Sequence, residues 1–137
     1  MNKSLMKESE SEVPRIFLAG EDENIGKIKR ILQENHPDVR IINPENGKVM
    51  AAVVKSDFDA LMVDCSFSLP VSTDDVFSWI SLRSIAKGKG ALFFLLVNNC
   101  VQGNQILSPS DGDALVKPNG SHQVDYVIQK VHNARQI

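Results

Sequence analysis

The sequence has no long apolar run. Its longest, Ala91–Val97, is seven residues, far short of the about 20 that a membrane-spanning helix needs. Cysteine is scarce: Cys65 and Cys100 stand alone, with no C-x-x-C pair. That excludes a disulfide-dense scaffold and a cysteine zinc site, and a reducing, cytoplasmic setting is expected. Neither charge dominates, with 15 Lys and Arg against 17 Asp and Glu and a net charge of −2. Without a basic surplus to neutralise phosphates, nucleic acid is not an expected direct partner. Gly20 and Gly26 do not make G-x-G-x-x-G, which argues against a dinucleotide site. His36, His122 and His132 lack ligand spacing. The opening MNKSLMKESESE carries no apolar core and does not read as a signal peptide.

What is present suits one soluble domain. The 137 residues are 42% hydrophobic and 23% charged, ordinary proportions for a chain that can own a core. Residues 1–13 are polar, rich in Ser and Glu, and read as a disordered tail. Residues 14–137 read as the domain.

Ile16–Ala19 is a short apolar run closed by Gly20, as in a buried strand. Ile25, Ile28, Ile31 and Leu32 then fall on one helical face, with Asn24 a suitable N-cap. His36-Pro37 ends that helix. Val39–Ile42 is a second strand, and Val49, Met50, Val53 and Val54 mark a short helix. Phe58–Val63 is a third strand ending at Asp64. Asp74 and Asp75 are expected to open a helix reaching Lys87, with Val76, Phe77 and Ile80 inward. Ala91–Val97 is the central strand, and Ala114–Val116 a fifth. Val124, Val127, Ile128 and Val131 make an amphipathic last helix.

Between the last two strands, Asn98–Asp113 holds Gly103, Pro109 and Gly112, and its apolar anchors are Val101, Ile106 and Leu107. A fourth helix there is expected to be weak or replaced by a loop. The alternation predicts an α/β, flavodoxin-like, doubly wound fold with five parallel strands. Ligands of such sheets sit at the carboxyl ends of the strands, near the switch in strand order.

Those ends carry Glu21 and Asp22, then Asp64, then Lys117. Asp59-Ala-Leu-Met-Val-Asp64 and Asp111-Gly-Asp-Ala-Leu-Val-Lys-Pro118 are the most specific segments. The constellation resembles the receiver domain of two-component response regulators, from about Arg15 to the C-terminus. The resemblance implies a signalling module, not an enzyme. It implies Asp64 as the phosphoacceptor position, Lys117 as the phosphoryl partner, and Glu21, Asp22 and Asp64 as ligands of Mg²⁺. It implies protein partners, namely a kinase, an effector or a downstream domain, and it allows a homodimer. No nucleic acid or membrane partner is implied.

The chain departs from that family pattern in several places. In the ungapped register the acidic pair falls on Gly20 and Glu21. The hydroxyl position falls on Leu96 or Val97, which cannot donate to a phosphoryl oxygen. The aromatic position three before Lys117 is Ala114. The expectation is therefore a degenerate or pseudo-receiver, acting through protein contact without regulated phosphorylation of Asp64 and without a cofactor. The alternative is a working receiver with an atypical Mg²⁺ site. A small-molecule flavodoxin-like domain would need a Gly- or Ser/Thr-rich phosphate loop, and Gly20-Glu21-Asp22-Glu23 is too acidic for one.

Overall fold

The computed structural model describes residues 13–135. Apart from Val13, the expected N-terminal tail lies outside the described residues. In chain order the elements are β1 (Arg15–Ala19), α1 (Glu23–Asn35), β2 (Arg40–Ile42), a 3₁₀ turn (Asn46–Lys48) and α2 (Val49–Lys55). They continue with β3 (Ala60–Asp64), β4 (Ser68–Pro70), β5 (Val76–Ser78), α3 (Trp79–Gly88), β6 (Leu92–Val97), α4 (Cys100–Ile106), β7 (Asp113–Val116) and α5 (Ser121–Arg135).

Five strands form one sheet in the order β2-β1-β3-β6-β7, and every pair is parallel. The order reverses between β1 and β3, so the β1 and β3 loops diverge there and open a crevice.

The period of two along each strand divides the core. Ile16, Leu18, Ala60, Met62, Phe94 and Leu96 face α1 and α5, meeting Ile25, Ile28, Leu32, Val124 and Val131. Phe17, Ala19, Leu61, Val63, Phe93, Leu95 and Val97 face the opposite layer, meeting Val49, Val53, Leu82 and Ala86. β1 and β3 are apolar on both faces because both faces are covered, which is why they read as unbroken apolar runs. Truncating a fully buried residue such as Leu18 or Leu95 to Ala costs about 2–5 kcal/mol.

Two expectations need correcting. Asp74 and Asp75 do not open a helix. Strand β5 follows them and pairs antiparallel with β4 in a small hairpin, and α3 starts only at Trp79. Ser78 is its true N-cap, with Ser81 completing a capping box. Phe77 does point inward, but Val76 is 56% and Ile80 49% exposed, because strand geometry sends Val76 away from Phe77. The N-cap of α1 is Asp22, not Asn24: its carboxylate accepts from the Asn24 and Ile25 amides. The fourth helix, expected to be weak or replaced by a loop, is a short helix of seven residues. Asn99 caps α4 by accepting from the Gln102 amide at 2.8 Å, and Leu107 is buried behind it.

Candidate functional site

Parallel pairing brings the ends of four strands level. Ala19 pairs with Val63, Asp64 with Leu96, and Val97 with Val116. Asp64 therefore stands beside the β1 exit, and Lys117 follows β7 by one residue.

The two side chains meet. Lys117 Nζ donates to Asp64 Oδ2 at 2.6 Å. The Asp64 side chain is 6% exposed and that of Lys117 25%, so the pair is shielded on the carboxylate side and open on the ammonium side. The other oxygen, Asp64 Oδ1, accepts from the Ser66 amide at 2.8 Å and from Ser66 Oγ at 2.7 Å. The amide contact is an Asx turn, a carboxylate binding the backbone two residues on. Ser66 was not foreseen as a site residue, although Asp-x-Ser immediately after a strand is the pattern from which such a turn is read.

Burial alone would push the Asp64 carboxyl up. The hydrogen bonds from Lys117 and Ser66, with the Lys117 charge, overcome it and hold the group below its ordinary 3.8. Burial would likewise lower Lys117, but the Asp64 hydrogen bond and charge outweigh it and raise the ammonium above its ordinary 10.5. Burial, then the Asp64 charge, push the Cys65 thiol up. Cys65 thus has the character of a packing residue, not of a thiolate nucleophile.

The acids of the β1 loop are engaged elsewhere. Glu21 accepts from the Asn46 amide at 3.1 Å. Asp22 caps α1, though its charge still reaches Lys117. Gly20 has a φ of +124°, a backbone conformation that a carboxylate-bearing residue would adopt only with strain. Among the described residues no group of three or more His, Cys, Asp or Glu is placed to hold a metal. In this conformation one Asp64 oxygen holds Lys117 and the other holds Ser66. On the adjoining face, Val97 at the end of β6 is fully buried and supplies no hydroxyl. Ala114 faces Gly103 of α4 and is otherwise exposed.

No family model matches the sequence, and no curated protein matches it. Solved structures do. A CheY-like response regulator receiver domain from Methanospirillum hungatei is similar over 90% of this chain and 98% of its own, with a TM-score of 0.67 and 18% identity. The receiver domain of a sensor histidine kinase from Pseudomonas aeruginosa matches over 85% of this chain and 95% of its own, with a TM-score of 0.63 and 19% identity. That structure has a magnesium ion coordinated in its active site cleft. A response regulator from Thermotoga maritima, in complex with Mg²⁺ and BeF, matches over 86% of this chain and 98% of its own, with a TM-score of 0.60 and 20% identity. At these identities the likeness establishes architecture: this chain has the fold of a CheY-like response-regulator receiver domain.

Proposed function

We propose that the chain is an atypical receiver module that works in signal transduction by binding another protein, without regulated phosphorylation of Asp64. The observation that carries this is the closed state of the carboxylate, whose two oxygens already hold Lys117 and Ser66. An incoming phosphoryl group brings about −1.5 to −2 charges. A metal would ordinarily balance that charge, and Glu21 and Asp22 are committed to other donors.

The contact surface we propose is the face formed by α4, β7 and α5. Val101 is 65% exposed there and Tyr126 42% exposed. Contiguous exposed apolar surface marks protein contacts, and these are the large apolar side chains that this face exposes. The partner class is a kinase, an effector or a further domain. Ile106 is half-buried and Leu107 buried, so those two close the fold and Val101 is the residue left for a partner.

A second reading has its own support. Asp64 and Lys117 do converge at 2.6 Å, and one structural neighbour holds magnesium in its active site cleft while another is in complex with Mg²⁺ and BeF. In that reading Asp64 is the nucleophile, with Glu21 and Asp22 turned back toward it as Mg²⁺ ligands. Incubation with acetyl phosphate and Mg²⁺, followed by intact-mass measurement, separates the two. The first reading expects no phosphoryl adduct. An adduct abolished by Asp64→Asn would establish the second.

A further inference from the structure

The loop that carries Lys117 is held by side chains with no part in the reading above. Asn119 is fully buried, at 0% exposure. Its Oδ1 accepts from Asn24 Nδ2 at 2.6 Å. Its Nδ2 donates to Gln123 Oε1 and, at 3.4 Å, to the Val116 carbonyl. Gln123 Nε2 donates to the same carbonyl at 2.8 Å. Reversing the Asn119 amide would set its oxygen against two acceptors and its NH₂ against a donor. Only one orientation satisfies the network.

This row of amides links α1 to the end of β7. At one end Asn24 belongs to the first turn of α1, where Asp22 holds its backbone amide at 3.2 Å. At the other end lies the carbonyl immediately before Lys117. Lysine is a compact charge on a flexible stem, so its position depends on where the backbone places its root. A buried amide with its partners matched cannot turn without orphaning one of them.

We propose that Asn24, Asn119 and Gln123 form a strut that positions Lys117 against Asp64. It joins the first turn of α1 to the turn after β7 through side-chain amides. Asn119 is the positioning residue at its centre. The inference is independent of whether Asp64 accepts a phosphoryl group, and its test uses neither metal nor phosphoryl donor.

The test is the titration midpoint of the Asp64 carboxyl, followed by ¹³C NMR in the full chain. Wild type, Asn119→Ala, Asn24→Ala and a control, Val131→Ala, are compared. Val131 is fully buried on α5, so its truncation weakens the fold without touching the strut. The strut variants are expected to raise the Asp64 midpoint by about half a pH unit, roughly threefold in the acid constant. The control is expected to lower the melting temperature and leave the midpoint in place. An unchanged midpoint in both strut variants, with only the melting temperature lowered, would overturn the proposal. Should Asn119→Ala fail to fold, Asn24→Ala decides alone. It removes one donor and leaves Asn119 paired with Gln123 and Val116.

Discussion

Asp64 is a carboxylate in a place where burial disfavours its charge, and its ionisation rests on two neighbours. Lys117 is the larger of these, because it supplies both a hydrogen bond and a full opposite charge. Lys117→Met removes that counterweight and leaves Ser66 alone. The Asp64 midpoint is then expected to rise above its ordinary 3.8, a reversal of direction that carboxyl NMR reads directly. The loss of a charge-assisted hydrogen bond at a shielded site is expected to cost about 1.5–3 kcal/mol in urea unfolding. A midpoint that stayed below 3.8 would mean that Ser66 sets the ionisation. The pair itself was legible in the sequence, because an acid ending the third strand and a lysine ending the fifth lie at the same carboxyl edge of a parallel sheet. Ser66 and the amide strut were not. Their roles come from polar side chains of ordinary type, whose importance lies only in what folding sets beside them.

At the scale of elements, the departures from the sequence expectation have separate causes. Asp74 and Asp75 look like the acids that open a helix, and they occupy a hairpin turn instead, in which Val71 and Ser72 donate to the Asp75 carbonyl. The capping signal was Ser78, three residues later, within a run too apolar to read as a boundary. The fourth helix was hidden by Gly103, which lowers helix propensity. The structure shows why glycine stands there. A Cβ at residue 103 would lie 2.8 Å from the Ala114 Cβ and 3.3 Å from Val97 Cγ2. The small pair Gly103 and Ala114 lets α4 settle directly onto β7. Gly103→Val is therefore expected to destabilise by about 1–3 kcal/mol through overpacking, despite its better intrinsic fit to a regular element. The check is the urea midpoint. An unchanged midpoint would show that α4 can ride outward at no cost, and that this face is softer than its packing indicates.

Across the whole molecule, the alternation of strands and helices carried the fold. Two opposed apolar faces per strand demand cover on both sides, and right-handed crossovers leave few ways to arrange it. The state of the site was harder to foresee, since side-chain engagement is not periodic. That engagement has a measurable global consequence. Asp64 titrates below its unfolded value, so its contribution to stability is present above about pH 4 and is lost as the pH falls through the folded value. Lys117 titrates above its unfolded value, so its contribution is present below 10.5 and is lost as the pH rises through the folded value. The pair is expected to contribute a plateau between about pH 5 and 10. The difference in unfolding free energy between wild type and Asp64→Asn should be flat there and shrink at both ends. A difference that grew toward acid would contradict the lowered Asp64.

In the proposed reading the site is closed by its own residues and does not switch. Amide chemical-shift mapping tests it most directly, with the folded chain titrated first with Mg²⁺ and then with beryllofluoride, a phosphoryl mimic. A dispersed spectrum is expected, with no saturable shifts at Asp64, Ser66 or Lys117, and none across residues 98–113. Saturating shifts at Asp64 and Lys117 that spread into 98–113 would contradict it and make the chain a phosphorylation switch.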